Sequence, residues 1–347
     1  MVTTYKQDKK TFDKTRSIER RKTVKEIRYL ALSILLAIAI LIQPCAYAEE
    51  SGSGHYMPGA SASFIDALPG KPGLAVANFF NYYDASASIG RRLPFGGLVT
   101  AGLDATAYSD TIVALYQTPL QLLSGYYTVG VAIPYVWMKV KGDAQLTGPR
   151  GNTFTRTVTD KASGVGDILL YPFILGWTGL NGDLKYDVRL GVYAPTGEYE
   201  KGKLANVGKN YWTFEPTASI SYMSSKTGLE LTAFAGMDFN TKNTDTEYRS
   251  GTQFHLDLTA AQHLPLFGGI IGIGANGFYY QQVSGDSGSG AILGDFKGRT
   301  LGIGPALSYV TKICGKDFAA EAKWLPEMDV SKRLKGDSIW FKLAMSF

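Results

Sequence analysis

Two short segments of the chain carry residue types that serve in nucleophilic catalysis. Gly285–Gly288 (GDSG) has the form of a serine-protease nucleophile segment, and Thr259–His263 (TAAQH) has the form of the histidine segment. A triad needs serine, histidine and an orienting acid that the fold can bring together. Only 24 residues separate His263 from Ser287, and no helper Asp lies suitably between them. The sequence therefore predicts no protease site, and we assign no catalytic residue.

A glycine pattern and two acids in a loop are candidates for holding a cofactor or a cation. Gly272–Gly277 fits G-x-G-x-x-G, which indicates dinucleotide binding where it follows a strand and opens a helix. Here it lies inside an alternating segment that ends in aromatic residues, which indicates a strand thinned by glycine on one face. Asp286 and Asp295, in a Gly/Ser-rich loop, lack the ligand spacing of a calcium loop. The sequence therefore predicts no cofactor and no metal ligand.

Charged residues at every second position form a more informative pattern. In several segments apolar residues alternate with polar or charged ones, so the two sets face opposite sides of a strand. If the apolar face meets lipid, the charged face lines the lumen of a barrel. The residues assigned to the lumen are Asp187, Glu215, Glu230, Asp238, Asp257, Glu321, His255, Lys185, Arg189, Lys323 and Lys342. The favoured interpretation is a structural ladder of mixed charges that fills a narrow lumen, with Glu321 or Lys323 pairing with Lys342 or its neighbours on the adjacent strand.

This alternation recurs in about twelve segments, which predicts about twelve strands. Each is long enough for a tilted membrane-spanning strand of about 9–11 residues, whereas soluble strands average about 5–6. The predicted strands are 73–84, 108–117, 125–139, 165–177, 183–194, 211–223, 228–239, 251–263, 270–282, 299–311, 316–327 and 337–347.

The connections between these segments alternate in length. Long polar connections are predicted at 85–107, 140–164, 195–210, 240–250, 283–298 and 328–336, and short ones at 118–124, 178–182, 224–227, 264–269 and 312–315. Long loops on one side and short turns on the other are typical of outer-membrane barrels. Phe347, preceded by apolar residues at alternate positions, is interpreted as the signal for the barrel-insertion machinery. A secreted β-sandwich is not expected to show alternating loop lengths or a last strand that ends in Phe. We therefore predict an all-β fold: a transmembrane antiparallel β-barrel over residues 73–347.

The first 48 residues have the features of a signal peptide. Basic residues from Lys6 to Arg28 precede an uncharged apolar run of 14 residues, Tyr29–Ile42, and an A-x-A site at Ala46–Ala48. The run is short for a transmembrane helix, and an uncleaved anchor is the alternative. This region holds 10 Lys and Arg and 4 Asp and Glu, which leaves 25 and 26 for the remainder. The remainder thus carries a net charge of −1 and offers no basic surface for nucleic acid.

The segment 49–72 lies just before the first predicted strand, and it contains His55, Tyr56, Met57 and Pro58. Its proline and glycine residues disfavour a helix. Its apolar residues distinguish it from a free polar tail. We therefore expect this segment to enter the lumen as a plug, and a disordered periplasmic arm is the alternative.

Several blocks of sequence match motifs of a known family. They are HYMPG at 55–59, LPGKPG at 68–73, GVGDI at 164–168, APTG at 194–197, NVGKNYW at 206–212, YRSG at 248–251, YQQ at 280–282 and GIGP at 302–305. In this order they resemble the outer-membrane transporter family named for the meta-pathway of phenol degradation. The resemblance implies an outer-membrane barrel linked to uptake of small hydrophobic, often aromatic, compounds. It brings no catalytic residue with it.

The predicted function is therefore an outer-membrane channel for small hydrophobic or aromatic compounds in a Gram-negative bacterium. Its expected partners are outer-membrane lipid, the barrel-insertion machinery and a small hydrophobic solute. A lipid-modifying enzyme and a structural barrel without transport are the alternatives. An enzyme that acts on lipid would need its Ser and His on the lipid-facing side. His255 and His263 share the parity of the lumen instead, which disfavours the enzyme.

Overall fold

Antiparallel β-strands make up almost all of the protein. The computed structural model describes residues 53–68, 70–95, 98–147, 153–293 and 297–347, so the predicted signal peptide lies outside the described residues. The strands are β1 Gly73–Phe95, β2 Leu98–Leu122, β3 Gly125–Thr147, β4 Thr153–Val165, β5 Ile168–Gly179, β6 Leu184–Ala194, β7 Thr213–Met223, β8 Leu229–Asn240, β9 Gln253–Leu266, β10 Gly269–Gln282, β11 Arg299–Ile313, β12 Lys316–Ser331 and β13 Lys335–Ser346. Two single-turn 3-10 helices occur at Phe64–Asp66 and Leu180–Gly182. Across the described ranges, no helix has the length and apolar character needed to cross a membrane.

The strands form a closed ring in which β1 pairs with β2 on one edge and with β13 on the other. Two strands share one position in this ring. β5 pairs with β3 along Tyr126–Ala132, and β4 pairs with the continuation of β3 along Tyr135–Thr147. The thirteen strands of the sheet therefore occupy twelve positions, which confirms the predicted barrel and its strand number. The predicted strand 165–177 corresponds to β5, and the additional strand β4 lies almost entirely within the predicted connection 140–164.

The alternation of side chains explains why this chain closes into a barrel. On β13, Phe341 and Leu343 are exposed on the outer surface, whereas Lys342 between them is completely buried. The same contrast holds on β6 and β8, and many large apolar side chains face outward. An apolar outer surface of this extent suits lipid rather than water. Closure of the ring gives each of the twelve strand positions a neighbour on both sides, as the hydrocarbon region requires.

Two predicted loops are strands in the structure. Residues 85–107 and 140–164 were expected to be polar connections, but the β1–β2 ladder continues to the pair Phe95 and Leu98. The β3–β4 ladder likewise continues to the pair Thr147 and Thr153. A hairpin that extends beyond the membrane keeps its backbone pairing without an apolar outer face, so its polar sequence resembles a loop. The predicted connection 328–336 is also shorter, because only residues 332–334 separate β12 from β13.

The remaining connections agree with the sequence prediction. Long loops at 195–212, 241–252 and 283–298 lie at one end of the barrel. The opposite end has short turns between β2 and β3, β5 and β6, β7 and β8, β9 and β10, and β11 and β12. Three of the six predicted long connections are therefore long loops, and the other three are shorter because the flanking strands extend, so the alternation of loop lengths holds in part.

Candidate functional site in the barrel lumen

The N-terminal segment, residues 53–68, contacts inward side chains from one end of the barrel to the other. Near the short-turn end, Leu68 packs on Gly176 of β5. At the long-loop end, Ser53 accepts hydrogen bonds from Lys209 Nζ, at 2.8 Å to its carbonyl oxygen and 3.0 Å to Oγ. Between these points the segment bonds to side chains of β6 to β10, β12 and β13. It therefore follows the half of the wall where the inward charges lie.

A tight turn directs Met57 into the wall. The amide of Ala60 donates to the carbonyl of Met57 at 3.0 Å, and Gly59 has φ +82°. Pro58 and Gly59 hold the positions that a type II turn assigns to Pro and Gly. A Cβ on Gly59 would lie 2.3 Å from Leu325 Cδ1, so no larger residue fits here without displacement. The turn packs Met57 and Ala60 against a buried cluster of Phe278, Leu325 and Trp340.

Asp257 of β9 is the acceptor for three groups of the N-terminal segment. Its carboxylate accepts hydrogen bonds from the Tyr56 hydroxyl, from the Gly59 amide at 3.3 Å and from the Ser61 amide at 3.0 Å. Burial and the negative charge of Asp257 raise the pKa of the Tyr56 hydroxyl well above its usual value, so Tyr56 remains the donor. The Tyr56 ring also stacks on His255, with 3.6 Å between the ring centroids.

A second anchor joins the segment to β12 and β13. Lys342 Nζ lies 2.7 and 2.8 Å from the two carboxylate oxygens of Asp66. The same ammonium is 3.8 Å from Glu321, which is directly opposite Lys342 in the ladder. Lys323 Nζ lies 3.6 Å from Glu321 and donates to the carbonyl of Ser61 at 3.2 Å. The N-terminal segment therefore supplies both a charge and a backbone acceptor to the predicted ladder.

Arg189 and Glu230, which are also assigned to the lumen, have partners on their own part of the wall. Arg189 binds both carboxylate oxygens of Asp187 at 2.7 Å, and its guanidinium also lies 3.4 Å from the carbonyl of Asp66. Glu230 accepts the Phe64 amide at 2.8 Å and lies 2.7 Å from His263 Nε2. Lys185 is half-buried and lines the cavity described below. Buried carboxylates with several donors are tolerated inside a protein because the donors replace water.

Asp167 is a functional candidate that the charge pattern did not identify. It lies at the break between β4 and β5, and its carboxylate accepts the amides of Gly197 at 2.9 Å and Lys209 at 2.7 Å. His55 Nε2 lies 2.8 Å from the same carboxylate, and His55 Nδ1 lies 2.7 Å from Thr213 Oγ1. Asp167 therefore joins the loop 195–212 to the N-terminal segment. The motif GVGDI contains it, but strand alternation gives no signal at a break.

A cavity of about 580 Å³ separates the N-terminal segment from the wall of β1, β2, β3, β5 and β6. Most of the wall side chains that line it are apolar or aromatic. They include Ala77, Phe79, Tyr83, Val113, Leu115, Ala132, Val136, Met138, Leu169, Tyr171 and Tyr193. The lumen thus has two different halves: the N-terminal segment occupies the charged half, and the apolar half lines an open space.

The long-loop end of this apolar half is covered by a hydrophobic cluster. Leu204 and Ala205 of the loop 195–212 pack against residues of β1, β2 and β3, including Ala85, Leu103 and Val140. The Leu204 amide donates to Asp160 of β4 at 2.6 Å, which fixes the loop above the cavity. The extended hairpins that were predicted as loops therefore form the rim on which this cover rests.

The residues that suggested other chemistry lie apart in the structure. His263 is near the short-turn end of β9, whereas Ser287 is in a long loop at the opposite end. Gly272–Gly277 lies within β10, as the sequence predicted. Asp286 accepts hydrogen bonds from Tyr248, Gln282 and the Gly251 amide. Asp295 lies outside the described residues.

Phe347 follows the last strand, and its amide donates to the carbonyl of Leu74 on β1 at 2.8 Å. Its ring is 53% exposed, on the side of the apolar outer surface. Removal of the ring would therefore take little packing away from the folded barrel.

A closed barrel with an apolar outer face and a lumen of charges and apolar side chains defines this protein as an outer-membrane β-barrel. The chain belongs to the family described as "Putative MetA-pathway of phenol degradation", whose model matches residues 88–343. The match confirms the resemblance that the sequence motifs indicated.

Three solved structures of outer-membrane proteins are similar to this chain to different degrees. An outer-membrane channel from Pseudomonas putida F1 is 14% identical, with coverage of 81% of this chain and 97% of its own and a TM-score of 0.56. The β domain of the Bordetella autotransporter BrkA is 14% identical over 80% of this chain and 100% of its own, with a TM-score of 0.44. A FadL homologue from Pseudomonas aeruginosa is 8% identical over 87% and 98%, with a TM-score of 0.43. No curated protein matches the chain. The likeness to the Pseudomonas putida channel shows that the two barrels share a fold.

Proposed function

We propose that this barrel takes up small hydrophobic or aromatic compounds through the cavity beside the N-terminal segment, which acts as a plug. The observation that carries the proposal is the division of the lumen into a charged half, occupied by the segment, and an apolar half of about 580 Å³. This volume is within the range of about 300–1,000 Å³ that is typical of small-molecule sites. Aromatic side chains such as Phe79 and Tyr171 present ring faces and edges that suit an aromatic solute.

The arrangement of the segment supports a plug rather than a free periplasmic arm. Its polar groups bond to Asp257, Lys342 and Glu230 and thereby satisfy charges that a dry lumen would leave unpaired. Non-helical backbone at membrane depth is acceptable where protein shields it. A hydrophobic solute would then meet the apolar wall instead of the charged one.

The placement of the histidines favours transport over lipid chemistry. His255 and His263 face the lumen and are buried, and His55 binds Asp167 within the barrel. A lipid-modifying enzyme would need such groups on the outer surface, where the lipid substrate lies.

A tryptophan in the cavity tests the proposed route. Ala132 of β3 is buried, faces Val113 across the ladder and lines the cavity. Ala132→Trp is expected to fill the space and to lower the uptake of radiolabelled toluene by intact cells to the level of cells without the protein. Ile133→Trp is the matched control, because Ile133 is the next residue and is exposed on the outer face. Both variants must show the heat-dependent gel shift of a folded barrel.

The result would contradict the proposed route if Ala132→Trp cells, with the barrel assembled, took up toluene as fast as wild type. Equal uptake in cells with and without the wild-type protein would remove the proposed substrate class altogether.

We propose that the barrel-insertion machinery recognises the ring of Phe347. Phe347→Ala keeps the amide that bonds to Leu74 and removes only a half-exposed ring, so the folded barrel loses little stability. We expect less heat-modifiable barrel in outer-membrane fractions. Phe214→Ala, which removes a similarly exposed outward ring from β7, is the control and should assemble normally. Equal assembly of the two variants would count against a signal at Phe347.

A further inference from the structure

Three inward ligand groups converge where β7, β8 and β9 lie side by side. Glu215, Asp238 and His255 each offer a ligand atom, and these atoms all lie within 4.8 Å of one another. His255 Nε2 is 3.6 Å from Glu215 Oε1 and 3.8 Å from Asp238 Oδ1. All three residues are buried. The cluster lies on the charged half of the lumen, and the proposed route for solutes does not use it.

The imidazole of His255 is aimed into this cluster without a hydrogen bond of its own. The residue is 1% exposed, and neither ring nitrogen has a hydrogen-bond partner among the residues that the structure describes. The Glu215 carboxylate, by contrast, accepts the Thr217 hydroxyl at 3.0 Å and interacts with the Tyr193 hydroxyl. A buried polar atom without a partner destabilises the folded protein, so such an atom calls for an explanation. The explanation here has to account for a nitrogen that faces two carboxylates.

The neighbouring residues are arranged so that the imidazole can reach the carboxylates. His255 pairs with Gly236 across the β8–β9 ladder. A Cβ at position 236 would lie 2.4 Å from His255 Nε2, so glycine leaves the space that the ring occupies. On its other side the ring stacks on Tyr56 of the N-terminal segment. Glycine on one side and tyrosine on the other therefore fix the direction of Nε2.

The chemistry of the three groups points to a cation with mixed nitrogen and oxygen ligands. We propose that Glu215, Asp238 and His255 bind one divalent transition-metal ion, for which zinc is the probe. Zinc commonly takes three protein ligands from His and carboxylate and completes its shell with water. Calcium and magnesium prefer oxygen-only sites, which the imidazole does not provide. The ligand atoms, which lie within 4.8 Å of one another, must move closer together to bind the ion, because zinc lies about 2.0–2.2 Å from each ligand.

Such an ion would also balance local charge. Two carboxylates meet at the cluster. A third carboxylate, that of Asp257, lies two residues from His255 on the same face of β9 and accepts hydrogen bonds from the N-terminal segment. Arg189 on β6 makes both of its short contacts with Asp187. A divalent ion at the cluster would offset the carboxylate charges in a low-dielectric lumen, where unbalanced charge is costly.

Zinc binding by the purified barrel tests the site directly. The protein is prepared in detergent with Cys314→Ser, since Cys314 is an exposed thiol that would itself bind zinc. After treatment with a chelator and dialysis, zinc is added and its content per chain is measured by mass spectrometry after gel filtration. We expect one zinc per chain in the parent protein and none in His255→Gln. Cobalt in place of zinc should give visible absorption bands that His255→Gln lacks.

Two further variants separate this site from non-specific binding. Gly236→Ala keeps all three ligands but displaces the imidazole, so we expect zinc affinity to fall by about 10–100-fold, as for loss of a positioning contact. His263→Gln removes another buried histidine, one that is bound to Glu230, and should still bind one zinc. Each variant is checked for the heat-dependent gel shift of a folded barrel.

The proposal fails if the folded parent protein binds no stoichiometric zinc, which would indicate that protons and not a metal satisfy the cluster. It also fails if His255→Gln and the parent bind zinc equally. Because the measurement uses no solute, its result is independent of the proposed uptake function.

Discussion

Removal of residues 51–67 is expected to leave the barrel assembled and to raise its conductance in planar bilayers. Closure depends on the backbone ladder between β1 and β13, to which this segment contributes nothing. The charges that the segment satisfies, such as Asp257 and Lys342, would become hydrated when water enters the lumen, so their loss of partners is tolerated. The space vacated on the charged half would join the existing cavity and form a continuous aqueous path.

The same deletion should lower selective uptake of a hydrophobic solute. The segment supplies one side of the apolar cavity through residues such as Met57, Phe64 and Ile65, and its removal replaces that side with water. A variant in which 51–67 is replaced by a Gly/Ser chain of equal length is the matched control for chain length. It should resemble the deletion, because the specific contacts are lost in both. If the deletion conducts no better than the intact barrel, the segment is a periplasmic arm and not a plug.

Strand parity predicted from sequence the side of the wall on which each charge lies. Lys342 is buried between exposed Phe341 and Leu343 because successive side chains of a strand point to opposite faces. The same rule placed Asp257 and Glu230 inside. Parity does not specify which inward side chains contact each other, because these contacts depend on the strand register and on the path of the N-terminal segment. The contact between Lys342 and Asp66, which are 276 residues apart, was therefore beyond sequence reasoning.

The limits of the prediction follow from the same physics. The lipid environment imposes an apolar outer face only at membrane depth, so the polar parts of β1 to β4 were assigned to loops although their backbones remain paired. Asp167 lies where the ladder is interrupted, and no periodic pattern marks such a residue. The cluster of Glu215, Asp238 and His255 comes from three strands, and its convergence depends on the glycine at position 236.

Asp257→Ala is expected to release the plug without deleting it. The substitution removes the acceptor for the Tyr56 hydroxyl and for the amides of Gly59 and Ser61. A hydrogen bond to a charged group contributes about 1.5–3 kcal/mol, and about 1.4 kcal/mol corresponds to a tenfold change in an equilibrium. The loss of three such bonds should therefore shift the closed barrel strongly toward open states. Single-channel recordings should show frequent openings whose conductance approaches that of the deletion variant.

A milder variant and a control variant test whether opening frequency depends on the bonds to Asp257. Tyr56→Phe removes one of the three bonds and keeps the ring that stacks on His255, so we expect an opening frequency between those of wild type and Asp257→Ala. Ser221→Ala removes a buried hydroxyl that bonds to Thr232 on the neighbouring strand and makes no direct bond to the plug, so it should behave as wild type. The prediction concerns the order of the opening frequencies among the variants, because this order should follow the number of hydrogen bonds that hold the segment to Asp257. If Asp257→Ala opened as rarely as Ser221→Ala, Asp257 would not be the residue that holds the plug in place. The anchor would then be assigned to the pair Asp66 and Lys342, and Lys342→Met should open the channel instead.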